Sequence, residues 1–223
     1  MQTLLNQHDM ENQKIIIAIN REFGSGGREI ACKLGELLGL KVYDRAIFDR
    51  LTTEFNLSVK EIERIKAKKI SWWKDFCRFY QQYGTGGMTS GSILEDREIT
   101  SRQIYLAESK IMQELAEQES CIFVGRSGFH VFKDNPNAIK IFLIANDDAR
   151  LKRIMQKYNL DEKEAKKCIE EVDKSRETYT QTFAGVSRYD ARNYDFVLNV
   201  SNIPPDHVAQ FLADNIRKKY PSL

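Results

Sequence analysis

The run Lys14-Ile15-Ile16-Ile17-Ala18-Ile19-Asn20 leads straight into Arg21-Glu22-Phe23-Gly24-Ser25-Gly26-Gly27-Arg28, and this junction constrains the fold more than any other stretch of the chain. A short apolar run with four isoleucines and no polar alternation reads as a strand buried on both faces, the kind a parallel sheet contains. The residues after the glycines carry Ile30, Leu34, Leu37 and Leu38 on one helical face, and Gly39 stops that helix. Lys41-Val42-Tyr43 then forms a short second strand that ends at Asp44. Strand, glycine loop, helix and strand make a βαβ opening.

The alternation resumes later in the chain. Cys121-Ile122-Phe123-Val124 is predicted as a strand, and it closes on Gly125-Arg126-Ser127-Gly128, a second loop of glycine and arginine. Further strands are predicted over 139–144 and 195–200, with helices over 147–158, 161–179 and 204–219. Five strands alternating with helices predict an α/β fold with a parallel sheet. Ligands of such sheets bind beyond the carboxyl ends of the strands, where both loops lie. Between Arg45 and Ala116 the pattern is helical, with Ser58 and Glu61 as a capping box, a basic stretch over 64–69, a glycine-serine loop over 84–92 and a long helix over 100–118. Trp72, Trp73, Phe76, Phe79 and Tyr80 fall at helical spacing there. They are candidates for that segment's core, for a homodimer contact or for stacking on a base.

Composition narrows the class. The 223 residues carry 34 basic and 32 acidic side chains, a net charge of +2, which supplies no bulk attraction for nucleic acid. There is no apolar run of about 18 residues, so no membrane span is expected. Residues 1–14 lack the apolar core of a secretory signal. Cys32, Cys77, Cys121 and Cys168 are scattered, without a C-x-x-C pair. That predicts a reduced, cytoplasmic protein without a disulfide framework or zinc site. No metal-ligand spacing surrounds His130 or His207.

The first glycine loop has a mechanical meaning. Glycines let backbone amides approach an anion, and the following helix N-terminus adds positive potential. A phosphate is the natural ligand, with Arg28 in reach for a charge-assisted contact. Two nucleotide patterns compete. In the dinucleotide pattern G-x-G-x-x-G, Gly24 and Gly26 fit but Glu29 takes the third position. In the P-loop G-x-x-x-x-G-K-[ST], Gly27 fits, while Glu22, Arg28 and Glu29 replace the first glycine, the lysine and the hydroxyl residue. Neither is complete.

Several separated motifs occur in order: Ile17-Ala18-Ile19-Asn20-Arg21-Glu22-Phe23-Gly24-Ser25-Gly26-Gly27, Val42-Tyr43-Asp44-Arg45, Phe123-Val124-Gly125-Arg126-Ser127-Gly128, and Tyr194-Asp195-Phe196-Val197-Leu198-Asn199. From Lys14 to the last helix the chain resembles the nucleoside monophosphate kinases, and more closely the cytidylate kinase-like family. The resemblance implies a three-layer P-loop kinase-like fold: a five-stranded parallel sheet with a helical insertion between strands 2 and 3. It implies a single domain over 1–223, with an acceptor-binding insertion over 45–116 and a lid over 147–192. It also implies ATP and Mg2+, and a nucleotide of the CMP or dCMP type, or another small phosphorylatable molecule, as acceptor.

By the same resemblance, Gly24, Ser25, Gly26, Gly27, Arg28 and Glu29 hold the donor phosphates, with Arg28 in the lysine's place and Ser25 or Glu29 on the magnesium side. Asp44, Arg45 and Arg126 face the acceptor. Arg28, Arg126 and Arg176 carry the transfer, and Arg150, Arg153, Arg188 and Arg192 are further lid arginines, with Arg150 equally readable as a solvated residue of its charged helix. Arg50, Arg97 and Arg102 are acceptor contacts or surface charges. Ser127 stands where the family's Gly-Arg loop has aspartate. The departures at Glu22, Arg28, Glu29 and Ser127 keep an alternative open, a nucleotide-binding protein without kinase turnover.

Overall fold

The computed structural model describes residues 14–44, 50, 53, 101–221 and 223. Most of the expected insertion lies outside the described residues, and with it the readings on Arg45, Trp72, Trp73, Cys77 and Arg97.

The chain runs β1 (Ile16–Arg21), α1 (Gly27–Leu38), β2 (Lys41–Tyr43), α2 (Ser101–Gln118), β3 (Cys121–Val124), α3 (Gly128–Val131), β4 (Ala138–Ile144), α4 (Asp147–Tyr158), α5 (Glu162–Ala184), a 3-10 turn (Ala191–Asn193), β5 (Phe196–Asn199) and α6 (Pro205–Lys219). All pairings in the sheet are parallel, in the order β2-β3-β1-β4-β5. The expected α/β architecture with five parallel strands is present.

The unbroken apolar character of β1 follows from its two-sided burial. Ile15, Ile17 and Ile19 pack with Ile30 and Leu34 of α1 and with Val208, Leu212 and Ile216 of α6. Ile16 points to the other layer, with Ile104, Met112 and Leu115 of α2 and Phe123 of β3. Each fully buried isoleucine side chain contributes about 1.5–3 kcal/mol. Helices therefore cover both faces of the sheet.

This strand order creates a switch point. From β1 the chain crosses one face through α1 and reaches β2 beyond β3. From β3 it enters α3, whose end packs on the opposite layer through Val131 and Phe132. The loops after β1 and β3 thus lie at the point where sheets of this kind bind ligands in a crevice. Ile19 is in register with Val124, so the two loops start side by side.

Two elements differ from expectation. Helix α3, of four residues, is too short to show a period in sequence. Helix α5 begins as expected, with Asp161 and Glu164 forming a capping box, but runs to Ala184 and is ended by Gly185 in the left-handed conformation. Its last turns, Thr178 to Phe183, are rich in β-branched and aromatic residues. Packing holds them helical: Phe183 stacks on Tyr105 of α2 and Tyr179 meets the same ring edge to face, at ring distances of 5.3 and 5.9 Å. No helix among the described residues is long and apolar enough to cross a membrane.

Candidate functional site

The loop Glu22–Gly26 joins β1 to α1, and Gly125–Ser127 joins β3 to α3. The Gly125 amide donates to the Ile19 carbonyl at 2.9 Å, which sets the second loop against the first. Gly24 has φ +85°, and a Cβ there would lie 3.0 Å from the Arg150 carbonyl. Gly125 has φ +84°, and a Cβ there would lie 2.0 Å from Nη1 of Arg21. Arg126 and Ser127 continue in the left-handed region at φ 57° and 54°. A non-glycine residue there costs roughly 1–2 kcal/mol, so this turn stores strain that its surroundings must hold. Two side-chain contacts do so: Arg126 Nη1 donates to Glu108 Oε1 at 2.9 Å, and the Ser127 and Thr180 hydroxyls lie 3.3 Å apart.

Arg28 sits in the first turn of α1, 60% exposed, and its Nε reaches Oδ2 of Asp44 at 3.0 Å. Nη2 of Arg21 lies 3.9 Å from the other oxygen of Asp44. One carboxylate at the end of β2 therefore joins a cation from the glycine loop to one from β1. Glu29 is exposed. Ser25 is fully buried, and its hydroxyl donates to the Glu22 carbonyl at 2.9 Å. That hydroxyl braces the turn, so the structure spends it on the loop's own backbone.

Beneath the loop lies a charge cluster that the sequence reading left scattered. Arg150 Nε donates to the Phe23 carbonyl at 2.8 Å, its Nη2 pairs with Asp173 Oδ2, and its Nη1 lies 3.7 Å from Glu22. Arg153 donates to the Gly24 carbonyl at 2.7 Å. Arg176 donates to the Arg21 carbonyl at 3.1 Å, and Arg188 donates to the same oxygen. Asp173 completes the cluster, accepting from the Phe23 amide at 3.0 Å and lying 3.4 Å from Arg188. A trans peptide sets its N–H opposite its C=O. Tying the Phe23 carbonyl to Arg150 therefore turns the Gly24 amide away from that arginine, the polarity an anion cradle needs.

The expectation for Arg150 included a solvated helix residue. The structure corrects it: Arg150 is 6% exposed and Arg188 only 2%. Arg188 also lies over the rings of Phe142 and Tyr189, at 5.5 and 5.2 Å. The sequence signal was an acid in an apolar stripe, Asp173 among the buried Ala165, Ile169 and Val172 of α5. A buried carboxylate requires cationic partners. Arg192, a further lid candidate, pairs with Asp190 at the surface instead.

Tyr194 ties the end of β1 to the segment after α5. Its hydroxyl accepts from Asn20 Nδ2 at 2.8 Å and donates to the Arg188 carbonyl at 2.7 Å. Burial raises the pKa of that phenol. Among the described residues, no group of three His, Cys, Asp or Glu side chains is placed to hold a metal ion.

A parallel sheet in this order, with a glycine loop that carries the chain from its central strand into a helix, is the scaffold of the P-loop kinases. Shikimate kinase from Acinetobacter baumannii shares it, at 13% identity and a TM-score of 0.51, over 95% of this chain and 97% of that one. An uncharacterized protein from Eubacterium ventriosum is more similar, at 26% identity and a TM-score of 0.64, over 91% of this chain and 98% of that one. Within this class, the chain belongs to the cytidylate kinase-like family, whose model matches residues 16–202. The cytidylate kinases of Thermoplasma acidophilum and Methanopyrus kandleri are 23% and 27% identical to it, each across 91% of its own length and 90% and 89% of this chain. Membership of the family supports nucleotide-related phosphoryl transfer, with ATP and Mg2+ in general use.

Proposed function

We propose that this protein transfers the γ-phosphoryl group of ATP to a nucleoside monophosphate of the CMP or dCMP type. The observation that carries this reading is the junction of two loops at the switch point: Gly24–Arg28 beside Gly125–Arg126, with Asp44 reached by Arg28 at 3.0 Å. In this reading Gly24, Ser25, Gly26, Gly27, Arg28 and Glu29 surround the donor phosphates. Backbone amides and the start of α1 supply most of the field, and Arg28 adds a mobile cation. Asp44 and Arg126 take the acceptor, with Arg45 and the rest of 45–116 as the acceptor-binding insertion.

Phosphoryl transfer of this kind needs positioning and charge stabilisation rather than a protein nucleophile. Arg28 and Arg126 stand at the two sides of the crevice. Arg176 supports the loop through the Arg21 carbonyl. The lid segment, 147–192, contributes the arginines that shape the cradle. Mg2+ arriving with the triphosphate would be held by phosphate oxygens and by carboxylates such as Glu29 and Asp44, and would neutralise charge on the phosphates.

One observation favours the second reading, nucleotide binding without turnover. Arg150, Arg153, Arg176 and Arg188 all donate to backbone carbonyls at the end of β1 or in the loop after it. Guanidiniums committed to structure stabilise a migrating phosphoryl less.

An ADP-release assay with MgATP and a panel of nucleoside monophosphates and small phosphorylatable acceptors separates the two. CMP or dCMP is expected to stimulate turnover at least tenfold over ATP alone. Binding of ATP analogues with no stimulation by any acceptor would refute the kinase reading and leave the binding protein.

A further inference from the structure

Glu108 of α2 is 1% exposed, yet it carries a carboxylate. Its Oε1 accepts from Nη1 of Arg126 at 2.9 Å, and its Oε2 accepts from the Tyr179 hydroxyl of α5 at 2.5 Å. Both partners come from elements far apart in sequence, the loop after β3 and the lid-like helix. Tyr179 is itself fixed by aromatic contacts with Tyr105 and Phe183, the latter at 4.9 Å. Burial first, and then the neighbouring carboxylate, push its phenol pKa well up, so it stays a donor. A second tie runs in parallel, between Ser127 and Thr180.

A carboxylate taken this far from water persists only where it is paired and hydrogen-bonded. The geometry has a direction as well. A guanidinium is a rigid planar fork, and fixing one nitrogen fixes the plane in which the others lie. The Arg126 backbone is already held in the left-handed region. With the backbone and one nitrogen both set, the remaining edge of the guanidinium has little freedom.

We infer that Glu108, braced by Tyr179, is a positioning residue that orients Arg126 toward the phosphate of the acceptor, making the acceptor arginine's placement depend on helix α5. This rests on the proposed function, in which Arg126 meets the acceptor. Glu108 touches neither substrate in this scheme and acts only through Arg126. The arrangement links the acceptor side of the crevice to the helix that also carries Asp173 and Arg176.

The test is a double-mutant cycle on CMP affinity, measured by calorimetric titration of the full chain. Arg126→Ala is expected to weaken CMP binding tenfold or more. Glu108→Gln is expected to weaken it by a similar factor, with affinity for a non-hydrolysable ATP analogue within twofold of the parent. In the Arg126→Ala background, Glu108→Gln should add nothing, because contacts acting through one group are not additive. Tyr179→Phe keeps the ion pair, should weaken CMP binding two- to fivefold, and serves in the same cycle if the glutamine variant does not fold. Equal losses of CMP and ATP-analogue affinity, or a further loss in the double variant, would mean a merely structural role. Unchanged CMP affinity in Glu108→Gln beside a loss in Arg126→Ala overturns this inference alone. Failure of the parent protein to bind CMP overturns the proposed acceptor, and the inference with it.

Discussion

The Asp173 carboxylate accepts the Phe23 amide at 3.0 Å, across 150 residues of sequence. The same carboxylate pairs with Arg150 and lies 3.4 Å from Arg188 and 3.7 Å from Arg176. Helix α5 thus supplies the counter-charge for three arginines beneath the glycine loop. The loop's shape is therefore a property of α4 and α5 as much as of its own glycines.

Removing that carboxylate takes from buried Arg188 its carboxylate partner and from Arg150 its closest one, a change that typically costs about 3–5 kcal/mol. For a chain of this size, each kcal/mol lowers Tm by roughly 2–4 °C. Asp173→Ala is expected to lower Tm by about 10 °C in a calorimetric scan. It should also weaken ATP-analogue binding, because the Phe23 amide loses its acceptor and Arg150, which holds the Phe23 carbonyl, loses its closest carboxylate. A variant that melts within 2 °C of the parent would show that the cluster does not hold the loop.

Arg28 offers the opposite case. Its side chain is 60% exposed, so the pair with Asp44 is screened and contributes about 0–1 kcal/mol to stability. Its contact with a phosphate is charge-assisted and contributes about 1.5–3 kcal/mol. Arg28→Ala is therefore expected to leave Tm nearly unchanged and to weaken ATP-analogue binding at least tenfold. Unaltered affinity by titration would place Arg28 outside the donor site.

This contrast marks what the sequence shows and what it hides. The strand–glycine–helix junction was legible because its constraints are local: an apolar run, glycines and a helical face, all within about 25 residues of chain. The Gly125-Arg126 loop was legible for the same reason. The roles of Arg150 and Arg188 were not, because an arginine looks alike in sequence whether it meets water or a carbonyl 127 or 167 residues away. Glu108 was invisible among the charged residues of α2, since only the fold brings Arg126 and Tyr179 to it. The extra length of α5 was hidden because its last turns are held by Tyr105 rather than by propensity.

Alkaline pH offers a test of the aromatic contacts. Burial raises the phenol pKa of Tyr105, Tyr179, Tyr189 and Tyr194, and burial followed by the hydrogen bond to Glu119 raises that of Tyr43 to about 12. In the unfolded chain these groups ionise near 10. Above that pH the unfolded state sheds protons that the folded state keeps, so stability falls as pH rises. Their contribution is complete below about pH 10 and is lost between there and the folded values. The urea midpoint should drop from pH 9 to pH 11, and Tyr43→Phe should flatten the decline. A midpoint constant over that span would contradict the burial of these phenols.

The close approach of Gly125 to Arg21 gives the sharpest geometric prediction. A methyl group at residue 125 meets two separate penalties. The first is conformational, because φ +84° lies where an L side chain costs roughly 1–2 kcal/mol. The second is steric, because the new Cβ would stand 2.0 Å from Nη1 of Arg21, a distance that forces the guanidinium to move. The Arg21 backbone is held, since its carbonyl accepts from Arg176 and Arg188, and its guanidinium lies 3.9 Å from Asp44. Moving the guanidinium therefore disturbs the crevice between the two loops. Gly125→Ala alone is expected to destabilise the fold by somewhat more than the conformational term, since the clashing atom is the far end of a flexible side chain, and to weaken acceptor binding. In an Arg21→Ala background the steric penalty vanishes while the conformational one stays. The same substitution should then cost only about 1–2 kcal/mol in urea unfolding. Equal costs in the two backgrounds would mean that Arg21 does not pack on Gly125, and that the second loop is set by its own backbone alone.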